Sequence, residues 1–458
     1  MTQSELIEVV LQNTEPLKYP RGERFSLYVW ALTGVGTSDD SEAKQILGEL
    51  DARGIAVVSP WRPGQQKASL EEGLRIARMQ GELGLRVNVN ATAVLNRFFD
   101  GSLSTAHVGE SGEAFFDTTF SKNVKMGCPF ALEGRYDAIR KRVEHFADGY
   151  REAGIDVDFA FADWEVDGPI EWNGAWEHSR RCVRCRENIP DIHEFGSFQK
   201  ALRTIHSDMQ RAVFAEVMKS HFSEVLVGNY AVYPHNGERY WYDYFEKLEE
   251  GMPFRADQNA KYRPWAHEFE STGYTFAMPV VYTWYPTYLW YNFQHSDYRW
   301  FYNMLMVGTN AAENTPTNTP IVTFVHWHTT SPPEQPDPEV RQFSKSCYQE
   351  LLWHLLFRGH DALFLWCPPN ELEEEIQLVH QVFSEAQQYG EFLDKGQPIG
   401  FQLPVKEGPV ISGLRVEDRV LVRRTEFGND PDPVSFEHDG RSFSIPRSEG
   451  ECQVLRLP

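Results

Sequence analysis

An α/β chain folded as a (β/α)8 TIM barrel, followed by a small C-terminal antiparallel β domain, is what this sequence predicts. Eight strand-like runs recur between helix-length patterns, and such alternation implies parallel strands joined by crossovers. The eight units occupy roughly 370 residues, within the usual span of such barrels. An open doubly wound sheet is the alternative, but no glycine-rich phosphate loop follows the first strand.

The first strand is read in RFSLYVWAL (24–32). It leads into DDSEAKQILGELDARG, where Asp39 or Asp40 caps a helix and Gly54 ends it. IAVVSPW (55–61) is the second strand, followed by a helix opening at Ser69, and LRVNVNATAV (85–94) is the third. A long irregular stretch precedes the helix GRYDAIRKRVEHFADGYREAG, which feeds the fourth strand, IDVDFAFADWE (155–165). Strands five to eight are EVLVGNYAVY (224–233), TFAMPVVYTW (275–284), PIVTFVHW (320–327) and ALFLW (362–366). Past Gly396 the sequence alternates polar and apolar residues without a helical period, as antiparallel strands do. The expected organisation is a partly helical extension at 1–22, a barrel over 23–395 and a β domain over 396–458.

Composition narrows the function. A net charge of −22 argues against nucleic acid as a partner, because phosphate contacts need clustered Lys and Arg. The charge also disfavours polyanionic substrates, although a local basic groove can override the global field. No apolar run is long enough to span a bilayer, so no membrane partner is expected. The opening MTQSELIEVVLQNTEPLKYP lacks a basic leader followed by an apolar core. Six cysteines in so long a chain do not make a disulfide framework. The expected compartment is the cytoplasm, or the periplasm or exterior if a leader has been removed.

Long stretches follow strand three (95–133), strand four (166–195) and strand five (234–272). All are strand-to-helix connections, the segments from which barrel active sites are built. Strand four ends FAFADWEVDGP (159–169), and a period of two puts Phe159, Phe161, Asp163 and Glu165 on one face. Ala160, Ala162 and Trp164 face the other way. With the phenylalanine face interior, both carboxylates project into the barrel mouth. A carboxyl shielded there by aromatic rings has its charged form disfavoured and its pKa raised, which suits Glu165 as general acid/base. Asp163 lies deeper, able to tune Glu165 or bond the substrate. The bland reading is an acid pair that caps the next segment or meets Arg180 in a salt bridge.

The Asp-Trp-Glu at that strand end resembles the Asp-x-Glu signature of the hyaluronidase and chitinase families, both (β/α)8 glycoside hydrolases. Chitinases carry a longer acidic pattern; Asp158, Asp163 and Glu165 match it, but Phe161 replaces its middle Asp. Hyaluronidases have an apolar residue there, so the likeness leans their way. It covers the barrel in outline and is specific only at strand four. The resemblance implies Glu165 as proton donor and Asp163 as the residue positioning a 2-acetamido group, whose carbonyl oxygen is the nucleophile. It further implies a Tyr beside the acetamido group, matched by Tyr282 at the end of strand six. The Trp that floors such pockets is matched by Trp366 at the end of strand eight. A ring offers an apolar face to a sugar, and a phenol adds a hydrogen bond. Trp284 and other rings of 282–302 extend that aromatic supply, with some needed as core. Asn229, Tyr230 and one of His326 and His328 are candidates for sugar hydroxyls.

Other readings compete. His326 and His328 share a strand face and offer a possible metal pair, as in an amidohydrolase-type barrel, but no third ligand is evident. Cys182 and Cys185, flanked by His178 and His193, have the spacing of a structural zinc site; two reduced thiols are the plainer reading. Cys128, Cys347, Cys367 and Cys452 read as buried small apolar residues. An ordinary two-carboxylate glycosidase needs a second acid. Strand seven ends without one, and Glu313 and Asp297 lie in helical context. A non-catalytic carbohydrate-binding barrel has no need of the paired acids. The expectation is a glycosidase of oligo- or polysaccharides that requires no cofactor for catalysis.

Overall fold

The computed structural model describes residues 1–95, 99, 101–118, 122–123, 125–164, 175–237, 266–283, 288, 291–327, 338–430, 432–438, 440–448 and 450–456. Its strands in chain order are β1 (Leu27–Val29), β2 (Ile55–Ala56), β3 (Ser59–Pro60), β4 (Asn88–Asn90), β5 (His107–Val108), β6 (Ala114–Phe115), β7 (Phe159–Ala162), β8 (Leu226–Asn229) and β9 (Val280–Tyr282). They continue with β10 (Val322–His326), β11 (Ala362–Leu365), β12 (Gln397–Ile399), β13 (Pro409–Val416), β14 (Arg419–Glu426), β15 (Val434–His438), β16 (Arg441–Ile445) and β17 (Gln453–Arg456). Each of the eight runs read as a barrel strand contains at least one of these, always shorter than the run. The second run is broken at Val57 and Val58, and its halves join different sheets.

Residues 1–57 with 279–456 form one compact unit, and residues 58–237 with 266–278 form another. The first unit holds a parallel sheet ordered β2-β1-β11-β10-β9. The second holds a parallel sheet ordered β3-β4-β7-β8. Parallel strands covered on both faces read as unbroken apolar runs, and β7, β10 and β11 are buried along their whole length. Strands adjacent in sequence are adjacent in each sheet, and in the first unit the last run pairs with the first, Tyr28 opposite Phe364.

Local signals set the helix ends. Asp39 caps the helix Asp40–Ala52, its Oδ1 accepting from Glu42 N–H at 2.8 Å. Gly54 follows with φ 70°, and a Cβ there would lie 2.6 Å from the Phe383 ring, so the turn needs glycine. The N-terminal helix Gln3–Gln12 carries a capping box at Thr2 and buries Leu6, Ile7 and Val10. At the other end, β12-β13-β14-β17 form an antiparallel sheet and β15-β16 a hairpin. Ile399, Val420, Val422, Phe443 and Ile445 make a small core there. Among the described residues no helix is long and apolar enough to cross a membrane.

Two imidazoles are buried where the helix Lys345–Phe357 turns toward β11. His354 lies between Ser412 Oγ at 2.7 Å and Thr425 Oγ1 at 2.9 Å. His360 Nε2 faces Gly308 O at 3.0 Å, and its Nδ1 meets Thr323 Oγ1. Burial, reinforced by the Arg358 charge, pushes the His360 pKa down to about 4 from 6.5. The unfolded chain binds this proton below 6.5 and the folded chain only near 4. Stability is therefore whole above that window and falls as pH drops through it. The contribution lost by pH 4 should be on the order of 2–3 kcal/mol. Urea unfolding at pH 7 and pH 4 should show His360→Gln to be less acid-sensitive than the wild type. Equal sensitivity would remove His360 from the account.

Candidate functional site

In the first unit, strand register assembles one row of side chains. Val325 and Val29 both lie opposite Leu365, and His326 lies opposite Tyr282. The next residue along each strand therefore aligns as Tyr282, His326, Trp366 and Trp30, at the C-terminal ends of four parallel strands. Two backbone bonds extend the ladder into this row: Trp366 N–H to Val325 O at 3.0 Å, and Trp30 N–H to Leu365 O at 2.8 Å. Two residues deeper, Phe324, Phe364 and Tyr28 form a fully buried aromatic layer, with Phe324 and Phe364 stacked at 4.6 Å. Above it the Tyr282 and Trp366 rings stack at 5.4 Å, and His326 meets Trp366 edge-on at 5.0 Å. Tyr282, Trp366 and Trp30 are half-buried, the exposure a ring needs to offer a face to a ligand.

A buried acid orients the imidazole. Glu375, from the helix Leu372–Ala386, is fully buried. It accepts from Trp327 N–H at 2.7 Å and Tyr348 O–H at 2.9 Å, and lies 2.8 Å from His326 Nδ1. Carboxyl oxygens accept, so in this pairing His326 Nδ1–H donates to Glu375 Oε2. Nε2 lies on the other side of the ring, with Glu371 Oε2 at 3.9 Å, beyond hydrogen-bond length. Glu371 and Glu375 were not singled out from the sequence. The neighbouring rings Tyr288, Tyr291, Phe293, Tyr298, Trp300, Phe301 and Tyr302 are buried and pack mainly on one another. They are core, and Trp284 and His328 lie outside the described residues.

In the second unit the end of β7 is held from both sides. Asp163 N–H donates to Thr92 Oγ1 at 2.8 Å, and Trp164 N–H donates to Asn229 Oδ1 at 2.8 Å. Side-chain acceptors thus continue the ladder one step past the last paired carbonyls. Asn229 is buried, and its Nδ2 donates to Gln210 Oε1 at 2.9 Å, which also accepts from Tyr274 O–H. Its amide is engaged in fixing this strand end. Tyr230 is likewise buried, its N–H donating to Ala162 O at 2.9 Å. Asp158 works at the opposite end of the strand, its Oδ2 accepting from Val87 N–H at 2.7 Å. Phe159 stacks on Phe276 at 4.8 Å, and Asp163, two pairs further along that alternation, is partly exposed. Glu165 lies outside the described residues.

The same unit contains a buried thiol–imidazole group. Ligand atoms of His107, Cys128, Cys182 and Cys185 all lie within 4.8 Å of one another. Cys182 and Cys185 were expected to associate with His178 and His193. The structure instead places His193 on the surface and His178 Nδ1 3.7 Å from Asp117 Oδ1. Arg180, the ion-pair partner in the bland reading of the acid pair, stacks over Trp176 at 4.6 Å.

No family model and no curated protein matches the sequence. Solved structures to which the chain is similar include the alpha-galactosidase from Lactobacillus brevis, at 11% identity and a TM-score of 0.47, covering 100% of this chain and 55% of that one. Alpha-L-fucosidase isoenzyme 1 from Paenibacillus thiaminolyticus is similar at 10% identity and a TM-score of 0.38, covering 94% and 86%. A GH36 alpha-galactosidase from Geobacillus stearothermophilus in complex with raffinose is similar at 9% identity and a TM-score of 0.45, covering 99% and 53%. The chain spans about half the length of the two alpha-galactosidases. Scores of this size do not establish a shared fold, so the chemistry rests on this chain's own residues.

Proposed function

We propose that the chain is a glycoside hydrolase of oligo- or polysaccharides, with Glu165 as general acid/base and Asp163 assisting. The observation that carries the glycosidase reading is the row of half-buried rings Tyr282, Trp366 and Trp30 around the buried His326 at parallel-strand C-termini, as a sugar platform requires. Each of the two sheets is parallel, as the strands of a (β/α)8 barrel are. In a barrel the strand C-termini form the active face.

The Asp163–Glu165 spacing favours substrate assistance. Glu165 protonates the leaving oxygen while the 2-acetamido oxygen attacks the anomeric carbon, and Asp163 orients that amide and stabilises its developing charge. Water, deprotonated by Glu165, then opens the cyclic intermediate with the original anomeric configuration restored. Aryl glycosides with and without a 2-acetamido group test this. Only the acetamido substrates should turn over, with retention and with tight inhibition by a thiazoline mimic of the intermediate. Trp366→Ala should raise KM about tenfold, equivalent to about 1.4 kcal/mol, with less effect on kcat. An unchanged KM would take Trp366 out of the binding surface.

A second reading is favoured by Glu371, whose side chain is a quarter exposed beside His326. It would supply the carboxylate that strand seven lacks, in a two-carboxylate mechanism. Efficient turnover of plain glucosides or galactosides, abolished by Glu371→Gln, would select that mechanism. A non-catalytic binder would bind the same sugars and hydrolyse none. For the amidohydrolase-type alternative, the one metal-competent group among the described residues does not include His326.

A further inference from the structure

The segment between β4 and the helix Glu133–Glu152 is long and poorly supplied with regular structure. Among the described residues of 101–132 the regular structure is the two-residue strands β5 and β6 and one short turn of 3-10 helix at Leu103–Thr105. Such a segment buries little by itself and needs a cross-link to hold one shape. Its fully buried residues include Cys128, and His107 is nearly so. Both meet Cys182 and Cys185, which lie beyond β7 around the junction of the helices Ala175–Arg181 and Val183–Asn188.

The spacing of the four groups fits a metal and not a disulfide. Cys128 Sγ lies 3.6 Å from Cys185 Sγ and 3.8 Å from Cys182 Sγ, and Cys185 Sγ lies 3.9 Å from His107 Nδ1. A disulfide requires about 2 Å and consumes two of the three sulfurs. Zinc–sulfur bonds of about 2.3 Å place tetrahedral sulfurs about 3.8 Å apart. Three thiols packed as plain apolar groups would also touch at such distances, but that reading gives no reason for an imidazole to join them.

The surroundings hold these ligands in place. Val108 N–H points at Cys182 Sγ at 3.5 Å, a donor that stabilises a thiolate. Cys128 N–H donates to Thr105 O at 2.8 Å, and Arg184 Nη1 donates to Ala106 O at 3.2 Å, tying the pieces together beside the ligands. A Cβ on Gly127 would stand 2.0 Å from Thr105 O, so the chain passes there only as glycine. Ile189, Ile192, Phe198 and Leu202 close an apolar shell around the sulfurs.

We propose that His107, Cys128, Cys182 and Cys185 bind one structural Zn²⁺ that staples the insertion after β4 to the segment after β7. Four protein ligands fill a tetrahedral shell and leave no position for water or substrate, which marks the site as structural. The assignment does not rest on the glycosidase reading. It does bear on it, because the anchored Cys182–Cys185 segment and the fixed end of β7 bracket the stretch that contains Glu165.

The full-length protein, purified under reducing conditions without added metal, should contain about one equivalent of zinc by elemental analysis. A mercurial thiol reagent should release that zinc in proportion to the thiols titrated. Exchange for Co²⁺ should give the visible bands of a tetrahedral thiolate site. Cys128→Ser should lose most of the metal, whereas His107→Cys, which keeps four ligands, should retain one equivalent. Retention by His107→Cys separates loss of a ligand from misfolding. Zinc-free protein that takes up neither zinc nor cobalt and melts at the same temperature with and without chelator would overturn the site. So would full metal content in both Cys128→Ser and Cys185→Ser.

Discussion

Glu165→Gln should lower turnover by about 10²–10⁴-fold, the usual worth of general acid–base catalysis, while leaving the fold and substrate affinity nearly unchanged. Glutamine keeps the shape and the hydrogen-bonding reach of the acid but cannot give up a proton. The loss should be smallest for substrates with activated aryl leaving groups, which need little protonation. It should be largest for natural glycosides, whose leaving alkoxide does. Asp163→Asn should act differently, since Asp163 stabilises charge on the amide and does not protonate the leaving group. Its deficit should persist across leaving groups. A folded Glu165→Gln protein that hydrolyses an unactivated glycoside at near wild-type rate would sink the assignment. Far-ultraviolet circular dichroism and the melting temperature of each variant separate chemistry from misfolding.

Strands such as β7, β10 and β11 were legible because strands buried on both faces leave apolar runs, and the structure places a strand in each of the eight runs. The row Tyr282–His326–Trp366 was legible as three separate strand ends; register then made them one surface. Glu375 was not legible. It is the last of three consecutive glutamates opening the helix Leu372–Ala386, and a run of acids reads as a solvated face. Yet Leu372 lies three residues before it and Val379 four after, so Glu375 sits on the apolar stripe. That offset was the available signal.

Asn229 shows a second limit. A polar residue ending a strand reads as substrate-facing, and sequence does not tell where backbone pairing stops and a side chain must take over. The thiol group shows a third limit. Cys182-x-x-Cys185 invites the nearest histidines as partners, whereas His107 and Cys128 arrive from a separate insertion through tertiary contacts. A lone cysteine beside a glycine, at Gly127–Cys128, was the only trace of them.

Glu375→Leu should destabilise the protein by on the order of 3–5 kcal/mol, the range for breaking a buried charged hydrogen-bond network. Three donors, His326 Nδ1–H, Trp327 N–H and Tyr348 O–H, converge on the carboxylate. With leucine in its place the Trp327 and Tyr348 donors lose their acceptor in a site without solvent, at about 1–3 kcal/mol each. His326 can move its proton to Nε2, but that puts a donor where the wild type has an acceptor. Glu375→Gln should be milder, because its carbonyl still accepts and its amide can donate to a re-tautomerised His326 Nδ1. The two variants therefore separate packing from function. Gln should retain most of the stability yet raise KM if Nε2 accepts a sugar hydroxyl, whereas Leu should lower the urea midpoint sharply. A leucine variant within 1 kcal/mol of wild type would show that the network does not hold the strand-seven end. An unchanged KM in the glutamine variant would remove the His326 imidazole from substrate recognition.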